Sequence, residues 1–266
     1  RYFDFSEKLN VDIADKRISV TPKNLEKDLE EVRNRLLGTA EEEDGEAKEK
    51  DERGHAVVGV YGINGMGGLG KSTLAQQIAR DEHILEKFGR GGVFWMTATK
   101  NPLSELNNVI HDLVKMHVPE VENAETCDTV ENARKMLKRF LTKEWKTNRY
   151  PMLIIVDDLW QESVYRQIVP DREWMPRGSA VLITYRDQSV AERIVNKSHA
   201  LTRLSAEAAV KLLRRSVGVK NEVKCEKEIV RRVGYHPMAI SILGKLMRDR
   251  QSVEGENDVS IHVLRE

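Results

Sequence analysis

Cysteine is nearly missing from this chain of 266 residues, and so is any excess of charge of one sign. Cys127 and Cys225 stand far apart and form neither a C-x-x-C pair nor a disulfide framework, which excludes the stapled secreted folds and suits a reducing compartment. Both are expected to be buried thiols. The 43 Lys and Arg residues are matched by 43 Asp and Glu, so a formal charge of +0 supplies no general attraction to nucleic acid or to an anionic membrane. No apolar run approaches the roughly 18 residues that span a bilayer, and the N-terminus lacks a signal-peptide profile. The cytoplasm follows as the expected location, with the nucleus beside it. Repeats with a period of about 20 to 50 residues are missing too. The nearest histidine pair, His111 and His117, falls on different faces of a predicted helix, which argues against a zinc site. Arg1 stands where an initiator Met would, and the chain is expected to be a piece of a longer polypeptide.

What is present is 40% hydrophobic residues, enough for a sizeable core and a soft expectation of about two domains. Leu25, Leu29, Val32 and Leu36 place an apolar stripe on a helix starting near Pro22, and a partner surface must cover it. From Glu41 to Arg53 every residue except Gly45 and Ala47 is charged, so that segment reads as a solvated linker. Short apolar runs then alternate with amphipathic stretches, the pattern of an α/β domain with a parallel sheet. Strands are expected at Val57 to Tyr61, Val93 to Thr97, Met152 to Val156 and Ala180 to Thr184, with an edge strand at Ala200 to Leu204. Two helices between the second and third strands are marked by Leu106, Val109, Ile110 and Leu113, then by Val130, Ala133, Met136, Leu137 and Phe140. Beyond the strands, Ser205 caps a helix running toward Gly218, a second helix around Ile229 and Val230 ends at Gly234, and Pro237 opens a third.

The sharpest motif is Gly65-Met66-Gly67-Gly68-Leu69-Gly70-Lys71-Ser72, which fits G-x-x-x-x-G-K-[ST] between an apolar strand and a helix carrying Leu74, Ala75 and Ile78. Its glycines let backbone N–H groups converge on phosphates, and the helix N-terminus favours an anion. In such a loop Lys71 reaches the β- and γ-phosphates, Ser72 binds Mg²⁺, and Thr73 bonds the α-phosphate. Asp157, ending a buried apolar strand, is the second metal-side candidate. Asp158 faces another direction and is a candidate to position water, with turn capping as its plain alternative. Thr184 and Arg186 end the next strand on the same carboxyl edge. Arg186 is a candidate γ-phosphate sensor, and its alternative is a salt bridge with Asp187 or another surface carboxylate. His236, ahead of Pro237, reads equally as a cap or packed side chain and as a nucleotide contact.

In order and spacing these motifs resemble the NB-ARC domain, the nucleotide-binding module of plant intracellular immune receptors and apoptotic protease-activating factors. The resemblance spans roughly residues 18 to 250. Residues 65 to 73 are similar to the family's P-loop, and Ile155-Val156-Asp157-Asp158-Leu159-Trp160 to its kinase-2 motif, with the Trp of non-TIR plant receptors. Phe94-Trp95-Met96 resembles the second-strand motif. Gly178 to Asp187 resembles G-S-x-I-I-I-T-T-R, with Tyr185 in place of a Thr, and Gly234 to Ala239 resembles G-L-P-L-A, whose proline lies near the adenine. Val20 holds the position of an upstream adenine contact.

The resemblance implies a P-loop NTPase three-layer sandwich of the STAND class. It would comprise an N-terminal flanking segment over 1–54, a nucleotide-binding domain over 55–204 and a small helical, ARC1-like domain over 205–266, ending before the winged-helix domain. It implies ADP or ATP with Mg²⁺ as ligands, an ADP-bound resting state and an ATP-bound active state, other domains of the same receptor as partners, a homo-oligomer on activation, and at most slow ATP hydrolysis. A P-loop kinase or motor ATPase with rapid turnover, and a nucleotide-independent scaffold, remain the alternatives.

Overall fold

The computed structural model describes residues 23–38, 59–89, 92–98, 101–117, 126–144, 151–218, 223 and 225–254. Val20, the segment from Glu41 to Arg53 and the expected strand positions Val57 and Val58 lie outside them. Compactness divides the chain into two units, the described residues of the first falling within Leu29–Asn64 and Ser72–Ala200. Those of the second fall within Lys16–Asp28, Gly65–Lys71 and Leu201–Glu266.

The first unit is built on a parallel sheet of β1 (Gly59–Asn64), β2 (Val93–Thr97), β3 (Leu153–Leu159), β4 (Ala180–Tyr185) and β5 (Lys197–Ala200), in the order β2-β3-β4-β1-β5. Parallel neighbours cannot be joined by tight turns, so each connection carries helices across a face. From β1 to β2 these are α2 (Lys71–Arg80) and α3 (Glu82–Phe88), and from β2 to β3 they are α4 (Pro102–His117) and α5 (Val130–Arg139). α5 ends in a wider π-helical turn over Phe140–Glu144. α6 (Glu162–Ile168) connects β3 to β4, and the short α7 (Gln188–Ala191) precedes β5.

The fully apolar runs became the central strands, as burial on both faces requires. Every residue of β4 is buried, as are the first four of β3. Leu106, Val109, Ile110 and Leu113 of α4 and Ala133 and Leu137 of α5 all enter the same core. The stripe on α1 (Lys23–Leu37) is covered in its second half, where Val32 and Leu36 are buried. Arg33 pairs with Asp81 at 3.3 Å, and Lys87 donates to the Leu36 carbonyl at 2.7 Å. On the strand side Arg35 donates to the Ser198 carbonyl at 3.0 Å and His199 meets Glu31 at 3.2 Å.

Three expectations are corrected. The edge strand is Lys197–Ala200, not Ala200 to Leu204: its backbone pairs in register with Tyr61 to Asn64, whereas Leu204 donates to the Tyr235 carbonyl at 3.2 Å and packs in the second unit. An edge strand needs one covered face, and β5 buries only His199, so its polar sequence gave no apolar signal. β3 runs on to Leu159 because a bulge lets it continue past Val156. Cys127 is half-buried and Cys225 is exposed, so neither is a buried thiol. Cys127 is held through its backbone by Asn107, and Cys225 occupies the left-handed turn into a helix.

The second unit contains α8 (Ala206–Val217), α9 (Glu226–Arg232) and α10 (Pro237–Glu254). The Ser205 hydroxyl accepts from the Ala208 N–H at 3.2 Å, and Gly218 ends α8 with φ 89°. Leu213, Val217, Ile229, Val230 and Ile240 form a core of their own. Arg214 of α8 grips the buried Glu226 carboxylate at the start of α9, and the Val223 N–H adds a bond at 3.1 Å. The Arg214 hydrogen bond, more than any other cause, holds the Glu226 carboxyl below the usual glutamate range.

Candidate phosphate-binding loop and sheet-edge site

β1 ends at Asn64 and α2 begins at Lys71, so the intervening loop leaves a buried strand and runs straight into a helix N-terminus. Lys71 is only 6% exposed, and its ammonium donates to the Gly65 carbonyl at 2.8 Å and the Met66 carbonyl at 2.9 Å. A buried ammonium is tolerated because oxygens inside the loop replace its water.

Two further carbonyls of the loop are engaged by the segment that opens α10. His236 Nε2 lies 2.9 Å from the Gly67 carbonyl, and since a carbonyl only accepts, that nitrogen carries the proton. The Met238 N–H donates to the Gly68 carbonyl at 3.3 Å. Gly68 has φ +76°, and a Cβ there would stand 2.7 Å from both His236 Cε1 and Met238 Cβ. Pro237 therefore starts its helix directly over the loop, at the position where a missing N–H is harmless. Of the remaining loop residues, Leu69 is buried, whereas a Cβ on Gly70 would meet nothing within 4 Å. That open glycine, flanked by N–H groups at a helix start, fits a bound phosphate chain. Next along the chain, Ser72 is half-buried and Thr73 is exposed.

At the carboxyl edge of the sheet, β3 and β4 shift register between Val156 and Leu159, and the residues in the bulge are Asp157 and Asp158. Bulges re-aim side chains. Thr184, fully buried on β4, fixes both: its hydroxyl donates to Asp157 Oδ1 at 2.6 Å and accepts from the Asp158 N–H at 2.8 Å. One oxygen of Asp157 is thereby held in a fixed direction, the orientation a Mg²⁺ ligand needs. Asp158 has φ +56° and both its oxygens carry donors, Arg186 Nε at 3.3 Å on Oδ1 and Trp160 Nε1 at 2.8 Å on Oδ2. The Arg186 guanidinium also lies over the Trp160 ring, 4.7 Å from its centroid. Asp187 is occupied in another way, capping α7 through the Ser189 N–H at 3.0 Å.

Within the second unit the structure brings together Gly65, Gly67, Gly68, Leu69, Gly70, Lys71 and Pro237. Within the first it gathers Asp157, Asp158, Thr184 and Arg186. Val20 lies outside the described residues. Sequence reasoning missed the bond between His236 and Gly67, which are 169 positions apart with no periodicity to link them. It also missed the part Trp160 takes with Asp158 and Arg186, for which a Trp two residues beyond a strand-end carboxylate was the available signal.

The family model of the NB-ARC domain matches residues 26–223. Curated relatives include apoptotic protease-activating factor 1 of Mus musculus, 28% identical over 193 residues, covering 70% of this chain and 15% of that protein. Disease resistance protein RUN1 of Vitis rotundifolia is 27% identical over 220 residues, covering 76% of this chain and 15% of that protein. The chain thus spans a small part of the length of these relatives. Among solved structures, the ADP form of the Aeropyrum pernix ORC2 protein matches with a TM-score of 0.57 at 16% identity, covering 92% of this chain and 68% of that one, a likeness of fold. With a P-loop on a parallel sheet and a family match over most of its length, the chain belongs to the NB-ARC domain family of STAND-class P-loop NTPases.

Proposed function

We propose that this chain is the ADP/ATP switch module of an intracellular plant immune receptor, resting with ADP, active with ATP, and hydrolysing ATP slowly. The observation that carries the reading is the loop itself, whose carbonyls hold Lys71 on one side and the start of α10 on the other. A ligand that draws Lys71 off the Gly65 and Met66 carbonyls changes the same backbone on which His236 and Met238 rest. Phosphate chemistry is thereby tied to the helical segment, and that is what a switch requires.

In this reading the loop N–H groups and Lys71 bind the β- and γ-phosphates, Thr73 the α-phosphate, and Pro237 with Val20 the adenine. Ser72 and Asp157 hold Mg²⁺, which neutralises phosphate charge when bound, and Thr184 keeps Asp157 aimed. Arg186 distinguishes ATP from ADP through the γ-phosphate, and Asp158 positions water once its present donors release it. Without an arginine finger in trans, turnover is on the order of once per half hour or slower. The likeness to disease resistance proteins supports a receptor in the cytoplasm whose other domains, and further copies on activation, are the partners. Among the described residues no helix is long and apolar enough to cross a membrane.

Denaturing the purified chain and chromatographing the supernatant should release ADP. No adenine nucleotide there, together with no ADP or ATP binding by calorimetry, would refute the reading, and rapid steady turnover would favour a kinase or motor instead. Lys71→Arg should weaken nucleotide binding by about 10- to 100-fold, the worth of a charge-assisted hydrogen bond, because the bulkier planar guanidinium does not fit the loop.

A further inference from the structure

Trp160 is 57% exposed at the end of β3, a costly place for an indole unless it holds something. It touches two groups that also touch each other, Asp158 and Arg186. Its Nε1–H donates to Asp158 Oδ2 at 2.8 Å, Asp158 Oδ1 accepts from Arg186 Nε at 3.3 Å, and the Arg186 guanidinium lies 4.7 Å from the centre of the indole ring. The arginine is thus held by a carboxylate at its edge and an aromatic face beneath it, and the indole N–H fixes the carboxylate against rotation. The Arg186 and Asp158 side chains are 48% and 37% exposed, so the pair alone is weak and screened. The ring and its N–H convert a loose surface pair into an oriented one. Asp158 is constrained from the backbone side as well, by its left-handed φ of +56° and by its N–H on Thr184.

We infer that Trp160 is a positioning residue that pins Arg186 to Asp158 and so sets the preference of the module for ATP over ADP. This rests on the reading that Arg186 meets the γ-phosphate. Asp158 holds the Arg186 Nε and fixes where the guanidinium points, so drawing the guanidinium toward a γ-phosphate works against the clamp, whereas ADP makes no such demand. The device acts on the ratio of the two affinities, not on nucleotide binding as such.

The test measures ADP and a non-hydrolysable ATP analogue by calorimetry with Mg²⁺, on the wild-type chain, Trp160→Phe and Trp160→Leu. Trp160→Phe keeps a ring but removes the donor, and Trp160→Leu removes both. The analogue-to-ADP affinity ratio should rise about three- to tenfold in Trp160→Leu, less in Trp160→Phe, with ADP affinity unchanged. In an Arg186→Met background the same Trp160 substitutions should leave the ratio where it was, because the effect passes through the arginine. Without nucleotide, the Trp160 indole N–H resonance should shift on Arg186→Met. A ratio that stays constant overturns the inference, and so does one that falls, since Trp160 would then present Arg186 to the phosphate. If the wild-type chain binds both ligands, such results sink only the clamp; a wild-type chain that binds neither sinks the switch reading and the clamp together.

Discussion

Thr184 carries more of the sheet edge than its size suggests. Its one hydroxyl donates to Asp157 and accepts from the Asp158 N–H, and it is fully buried, so no water replaces either bond. Thr184→Val keeps the shape and removes both bonds, leaving the Asp158 N–H unpaired. The expected loss is about 2–3 kcal/mol in chemical denaturation with an unchanged m-value; a loss below about 0.5 kcal/mol would mean that water reaches the site. The loop glycines offer a second residue-scale contrast. Gly70→Ala meets no atom and costs only the backbone strain of φ +103°, about 1–2 kcal/mol. Gly68→Ala adds overlap with His236 and Met238 to similar strain and should cost about 2–4 kcal/mol. Equal denaturation midpoints for the two variants would contradict the seating of the α10 segment on the loop. At this scale the sequence was legible in where a motif places a residue: Lys71 opens the helix after the loop, and Asp157 stands near the carboxyl end of β3. It was silent where the partner comes from far along the chain, because the contact between His236 and Gly67 has neither period nor composition to announce it.

At the scale of elements, legibility followed burial. β3 and β4 lie inside the sheet, covered on both faces, and their apolar runs announced them, whereas β5, with one buried side chain, is built from Lys, Ser, His and Ala and is defined by its pairing with β1. The bulge at Asp157 and Asp158 was hidden for a related reason: it belongs to the register between two strands, and a single strand does not encode its register. Helix ends fared better because caps are local, and Ser205 and Gly218 bound α8 as their types foretell. The joint between α8 and α9 adds a pH dependence. The Glu226 carboxyl is held below its ordinary value of 4.5, first by Arg214, so its contribution to stability is complete above that value and is lost as pH falls through the lower folded-state pKa. Glu226→Gln should therefore cost about 1–3 kcal/mol at pH 7. The gap from wild type should close on acidification below pH 4.5. A gap that is constant from neutral to acid pH would show that packing, not charge, is what Glu226 supplies.

For the molecule as a whole, the telling fact is where the phosphate loop is counted. By sequence, Gly65–Lys71 sits inside the α/β region, between β1 and α2, yet by compactness it groups with Leu201–Glu266. The bonds of Gly67 and Gly68 to the α10 segment lie within that grouping, and they predict that the order of the loop depends on the integrity of the helical unit. The core of that unit draws on Leu213, Val217, Ile229, Val230 and Ile240, and the core under the sheet draws on other residues, so damage to one need not reach the other. Ile240, on the first turns of α10, is completely buried. Ile240→Ala should cost the second unit about 2–5 kcal/mol through the lost transfer energy and the cavity it leaves. Hydrogen exchange should then accelerate across α8, α9, α10 and the amides of the phosphate loop, while β3 and β4 retain wild-type protection. Accelerated exchange confined to the three helices, with the loop unchanged, would show that the loop takes its order from the sheet. Uniform acceleration would show that the two cores unfold as one.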